Sequence, residues 1–86
     1  MQAGARAMKY RLLYFASLCD AAGCAEESVA SDATDPRTLY AELAARHGFT
    51  FVPDRLRVAV NGAFTDWNHR LADNDEVVFL PPVSGG

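Results

Sequence analysis

The apolar positions of residues 9–15 (KYRLLYF) recur at every second residue, the period of an extended strand. Tyr10, Leu12 and Tyr14 fall on one face, and Arg11, Leu13 and Phe15 on the other. The charge of Arg11 marks that second face as the outer one, so Leu13 and Phe15 are apolar groups on a face this chain need not cover. Residues 16–23 read as a loop or short helical turn, and residues 26–30 as a short strand around Val29. From Pro36 to His47 the spacing becomes helical: Leu39 and Leu43 stand four apart, with Tyr40, Ala44 and His47 beside them. Asp35 before Pro36 suits the N-terminal cap and first helical position. Glu42 and Arg46 pair at i,i+4, Arg46 and His47 suit the negative end of the helix dipole, and Gly48 is the expected C-terminal cap.

Alternation returns in residues 55–60 (RLRVAV), with Leu56, Val58 and Val60 inward. Asn61-Gly62 then predicts a tight hairpin, because both residues tolerate positive φ, and a partner strand follows over residues 63–66. Leu71 reads as a core anchor, and Asp73-Asn74-Asp75 as a turn with Asn74 left-handed. Residues 76–80 (EVVFL) form the last strand, with Val77 and Phe79 on one face and Glu76, Val78 and Leu80 on the other. Pro81-Pro82 ends it, since neither residue can donate to a ladder. The order strand, strand, helix, strand, short strand, strand predicts an α+β fold: a mixed sheet, its first and last strands central, with one main helix packed on one face. Residues 1–7 lack periodicity and read as a disordered arm, with structure starting at Met8. Residues 8–82 are the domain, and residues 83–86 a flexible tail.

Half of the 86 residues are hydrophobic, but 15 of these are Ala, so the core is single and modest. The net charge is −3 and the eight Lys and Arg are scattered, which argues against nucleic acid as a partner. No apolar run approaches the roughly 18 residues of a membrane span, and no signal peptide is legible, so a cytoplasmic location is expected. Cys19 and Cys24 are spaced C-x4-C, which fits neither a disulfide scaffold nor a zinc site and only weakly a redox motif; free thiols are the plain reading. His47 suits a dipole or surface role, and His69 a surface loop with no nucleophile near it in sequence. Asp73 and Asp75 offer too few oxygen ligands for a metal, so no metal site is expected. Trp67 is either an interface anchor or a lid on the core.

The segment after the last strand is chemically distinct: a rigid Pro81-Pro82 step, then Val83, Ser84, Gly85 and Gly86. A frayed tail is the plain reading. The sharper one is that a terminal Gly-Gly, lacking Cβ atoms, threads a channel too narrow for other residues and presents an unhindered carboxylate. Coupling that carboxylate to AMP creates a leaving group that a sulfur nucleophile displaces, giving a thiocarboxylate. With no Gly-rich phosphate loop here, another protein would hold ATP and magnesium, and this chain binds no cofactor itself. Extended, residues 81–86 reach roughly 20 Å, at ~3.3–3.6 Å per residue.

The stretch YFASLCDAAG, the VNG of residues 60–62 and the ending DNDEVVFLPPVSGG resemble the small subunits of molybdopterin synthase, a ubiquitin-like sulfur-carrier family, over residues 8–86. The resemblance implies a β-grasp fold and a non-catalytic, sulfur-donating subunit of a sulfurtransferase complex. It implies that an E1-like adenylating enzyme activates Gly86 and that sulfur transfer makes the Gly86 thiocarboxylate. Gly85, Ser84 and Val83 would thread into the large synthase subunit, where the sulfur builds the dithiolene of molybdopterin from cyclic pyranopterin monophosphate. Two copies of each subunit are expected. Cys19 stands where the family often carries Arg, Arg70 where Pro is common, and Asn74 where Gly is frequent. Leu13, Phe15, Val78, Leu80, Pro81 and Pro82 are the expected partner-binding strip, unless a loop of this chain covers them. The alternatives are a carrier for thiamine, cysteine or tRNA thiolation, a ubiquitin-like protein modifier, or an interaction module with an inert tail.

Overall fold

The computed structural model describes residues 7–81. The expected arm, apart from Ala7, and the segment from Pro82 to Gly86 lie outside the described residues. The elements are β1 (Met8–Tyr14), α1 (Ala16–Ala22), β2 (Glu26–Ser31), α2 (Pro36–His47), a 3-10 turn (Pro53–Arg55), β3 (Arg57–Val60), β4 (Ala63–Thr65) and β5 (Glu76–Leu80).

Where the local signals are strong the elements form as read. Asp35 accepts a hydrogen bond from the Thr38 N–H at 2.7 Å, Pro36 opens α2, and Gly48 closes it at φ 78° with its N–H donating to the Ala44 carbonyl. Glu42 and Arg46 lie 3.8 Å apart on the wet side of α2. Asn61 and Gly62 take φ 51° and 87°, as a two-residue hairpin demands, and register Val60 against Ala63. The Asn61 side chain also donates to Asp75 at 2.9 Å and accepts from the Glu76 N–H at 2.9 Å. It thereby ties this hairpin to the turn at residues 73–75, where Asn74 is left-handed at φ 71°.

Three local readings change. Residues 16–22 form a two-turn helix, ended by Gly23 at φ 77°. It is too short for a period to show, buries only Leu18, and has no side-chain N-cap bond. β3 starts at Arg57 and not at residue 55, because Pro53 begins a tight turn whose carbonyl takes the Leu56 N–H. β4 stops at Thr65, one residue short of its expected end.

The five strands form one mixed sheet in the order β2-β1-β5-β3-β4. β1 pairs parallel with β5, and every other neighbour is antiparallel. β5 is therefore central. The helices between the strands supply the long connection a parallel pair requires. The core lies between the inner sheet face and α2: Tyr10, Leu12, Tyr14, Val58, Val60, Val77 and Phe79 from the sheet meet Leu39, Tyr40 and Leu43. Leu71 is buried with them. Trp67 stacks on Phe79 at 5.7 Å and meets Tyr40 edge-on, which decides for a lid on the core. The buried tyrosines keep their hydroxyls satisfied: Tyr40 donates to the Phe51 carbonyl at 2.7 Å and Tyr10 to the Ala33 carbonyl.

Candidate functional site

Directly opposite residues of neighbouring strands share a face, so the register builds the outer surface row by row. Leu13 stands opposite Val78, Val78 opposite Ala59, and Ala59 opposite Phe64. One step along, Leu80 stands opposite Arg57. Phe15 leaves the end of β1 in extended conformation, and Pro81 follows Leu80. The result is an apolar strip across the sheet, on the side away from α2, at the end of β5 that leads toward Pro82.

Exposure along this strip is uneven. Phe15 is 49% exposed, while Leu13, Leu80 and Pro81 are half-buried. Val78 is only 9% exposed. It lies on the outer face as expected, but a central strand places Leu13 and Ala59 on either side of it. It is the floor of the strip and not part of its accessible rim. Phe64, 65% exposed, was not among the expected residues. The signal was present: a two-residue turn at Asn61-Gly62 sets Phe64 opposite Ala59, and Ala59 alternates outward between Val58 and Val60. The Arg57 guanidinium lies 5.5 Å from the centre of the Phe64 ring, a cation–π contact at the rim. Asp54, Arg55, Arg57, Phe64, Leu80 and Pro81 border a groove on this side, and Leu13, Phe15, Ala16 and Cys19 a depression on the other. Chemically, the strip offers apolar area and guanidinium groups.

Gly86, Gly85, Ser84, Val83 and Pro82 lie outside the described residues. What the fold establishes is where the chain leaves the sheet toward them. β5 is held on both sides by β1 and β3, so the departure point beside Leu80 is anchored in the centre of the domain.

His69 is exposed in its loop, where its N–H meets the Asp66 carbonyl at 3.3 Å. His47 is not a surface residue. Its Nε2 lies 2.7 Å from Glu27, whose same carboxylate oxygen accepts from the Tyr14 hydroxyl at 2.8 Å, and its side chain is 14% exposed. Sequence distance hid this: α2 delivers His47, β2 Glu27 and β1 Tyr14. The network ties the helix to the sheet edge. Partial burial raises the Glu27 pKa, but the hydrogen bonds from His47 and Tyr14 outweigh it and hold the carboxyl below its ordinary 4.5. A depressed folded-state pKa gives stability that is present above the unfolded value and lost as pH falls through the folded one. The urea midpoint of the wild type should therefore fall between about pH 5 and pH 3 more steeply than that of Glu27→Gln, which cannot ionise there. Equal slopes would mean that Glu27 contributes no such linkage.

Cys19 and Cys24 are free and half-buried. Among the described residues no three His, Cys, Asp or Glu side chains group as metal ligands, and no helix is long and apolar enough to cross a membrane.

With this geometry in place, the comparisons with known proteins are direct. The model of the ThiS family matches residues 12–86. The chain is 34% identical over 79 residues to the molybdopterin synthase sulfur carrier subunit of Escherichia coli (strain K12), spanning 88% of this chain and 98% of that protein. It superposes on the crystal structure of SAMP1 from Haloferax volcanii with a TM-score of 0.75 and 26% identity, covering 91% of this chain and 99% of that one. It also matches a chain of the complex of subunits 1 and 2 of the molybdopterin-converting factor from Helicobacter pylori, with a TM-score of 0.62 and 29% identity over 92% and 100% of the two chains. The fold is the ubiquitin-like β-grasp.

Proposed function

The chain belongs to the ThiS family, and on that premise we propose that it is the sulfur carrier of molybdopterin synthase. The observation that carries this reading is the likeness to the Escherichia coli carrier across nearly the whole of both chains, joined to the ending PPVSGG. An E1-like enzyme, using ATP and magnesium, adenylates Gly86: a carboxylate oxygen attacks the α-phosphorus of ATP and pyrophosphate leaves. A sulfur donor then attacks the acyl carbon and AMP leaves, which yields a thiocarboxylate. Gly85, Ser84 and Val83 present that sulfur inside the large synthase subunit, where it is passed to cyclic pyranopterin monophosphate.

The fold supports a division of labour. The outer strip of Leu13, Phe15, Phe64, Leu80 and Pro81 docks on the large subunit, with Val78 as its floor, and the anchored end of β5 aims the tail. The Helicobacter pylori complex of subunits 1 and 2 supports a large subunit as the partner. The assembled synthase is a cytoplasmic heterotetramer with two copies of each chain. This chain donates a consumed and regenerated group and is no enzyme alone.

The test is intact mass after incubation with the activating enzyme, ATP and a sulfur source. The expected result is a gain equal to sulfur replacing one oxygen, absent when Gly86 is deleted. No gain, with an activating enzyme competent on another carrier, would overturn the carrier reading. The likeness to SAMP1, a small archaeal modifier protein, favours one second reading: conjugation of Gly86 to lysines of other proteins. Isopeptide-linked species on a denaturing gel would support it.

A further inference from the structure

We propose that Asn61 is a deamidation site, attacked by the backbone nitrogen of Gly62, and that a clamp formed by Asp75 and the Glu76 N–H sets its rate. Asparagine side chains are chemically labile, and the attack needs an unshielded nitrogen on the next residue. Gly62 supplies one. It is exposed, and no atom beyond its chain neighbours lies within 4 Å of where a Cβ would stand, so water and base reach its N–H. Asn61 is exposed as well, at the tip of the hairpin between β3 and β4. The other two asparagines, Asn68 and Asn74, precede the bulkier His69 and Asp75.

The Asn61 amide is engaged elsewhere. Its Nδ2 donates to Asp75 Oδ1 at 2.9 Å, and its Oδ1 accepts from the Glu76 N–H at 2.9 Å. Its main-chain N–H is held on the same segment, donating to the Glu76 carbonyl at 2.8 Å. Asp75 is itself fixed: its Oδ2 accepts from the Ala72 N–H at 2.8 Å, and its own N–H donates to the Ala72 carbonyl at 3.1 Å. Both polar atoms of the amide are thus bound to a neighbouring segment, one of them through a carboxylate, and a bond to an ionised acceptor is roughly twice as strong as a neutral one. Rotation of the side chain toward Gly62 breaks both bonds.

In the reaction a base takes the Gly62 amide proton and the nitrogen attacks Cγ of Asn61. The N–Cγ bond forms, the Cγ–Nδ2 bond breaks, and ammonia leaves with a proton from solvent, closing a succinimide. Water then opens the ring. Breaking the N–Cγ bond gives aspartate; breaking the bond from that nitrogen to the main-chain carbonyl carbon gives isoaspartate. One water is consumed and one ammonia released, with no change of oxidation state. Either product undoes the clamp, because a donor becomes a carboxylate facing Asp75. Isoaspartate also lengthens the main chain where φ 51° and 87° set the two-residue turn that registers Phe64 opposite Ala59. The site is independent of whether Gly86 carries sulfur.

The test incubates the full chain in mildly alkaline buffer, beside a peptide of residues 57–66. Peptide mapping by mass spectrometry reads replacement of NH2 by OH at Asn61, with aspartate and isoaspartate resolved by chromatography. The peptide should give both products. The folded chain should convert about tenfold more slowly, the factor that ~1.4 kcal/mol makes, and Asp75→Ala should recover most of that factor. Asp75→Asn, which keeps a turn-forming residue but removes the charge from the acceptor, should fall between the two and decides the matter where Asp75→Ala does not fold. Circular dichroism checks the fold of each variant. Val29→Ala, which loosens the core away from the hairpin, should keep the wild-type rate. An intact peptide, a wild-type chain converting as fast as the peptide, a folded Asp75 variant converting no faster than wild type, or equal acceleration by Val29→Ala would each overturn the proposal.

Discussion

Phe79→Ala is expected to destabilise the domain by about 3–5 kcal/mol, the usual cost of removing a fully buried phenylalanine. The Phe79 side chain is 0% exposed at the centre of the sheet. It stacks on Trp67 with an interplanar angle of 7° and meets Tyr40 of α2 edge-on at 5.2 Å. Truncation leaves a void bounded by two aromatic rings that are themselves held. Trp67 packs over the core, and the Tyr40 hydroxyl is bonded to Phe51. Neither can collapse freely into the gap. Small domains have about 5–15 kcal/mol in total, so much of the folding free energy is at stake. Urea unfolding followed by tryptophan fluorescence measures it, since Trp67 is the sole tryptophan and lies on the ring being removed. A loss below about 1 kcal/mol would show that the aromatic cluster repacks.

Leu80→Asp is expected to weaken binding to the large synthase subunit about 10- to 100-fold while leaving the domain folded. The magnitude follows from losing one large apolar contact, about 1.5–3 kcal/mol, at about 1.4 kcal/mol for each tenfold. Leu80 is half-buried on the outer face, outside the core cluster, and Arg57 stands opposite it to pair with the new carboxylate. Arg37→Glu, on an exposed site of α2 across the sheet, is the control and should bind as wild type. Titration calorimetry with the purified large subunit, beside a urea curve for each variant, separates the two effects. Unchanged affinity would remove the strip from the interface; unfolding would mean that Leu80 belongs to the core.

The two predictions concern adjacent residues of one strand, and the difference between them was legible without coordinates. Alternation in EVVFL separates Phe79 from Leu80, and the two prolines that follow mark the end of pairing. The helix from Pro36 to His47, the Asn61-Gly62 hairpin and the left-handed Asn74 were equally legible. Each is specified by residues within a turn or two of one another: a cap, a fixed φ, or a tolerated positive φ. The tail carried its own chemical signal, two residues without Cβ atoms behind a rigid step.

The rest depended on which strand lies beside which. The burial of Val78 follows from its position between β1 and β3; the element order placed β5 centrally, but only the pairing shows which residues flank Val78. Phe64 and Arg57 meet because the hairpin register brings them together on the outer face. His47, Glu27 and Tyr14 share one bonded network although they come from three elements. By itself, then, the sequence determined the main helix, the five strands to within a residue or two, their inner and outer faces and the family, because short-range sterics and side-chain periodicity are written in neighbouring residues. Only the tertiary structure decided which outward groups are accessible and which polar groups meet, because those contacts exist only after the strands have been ordered and closed around a common core.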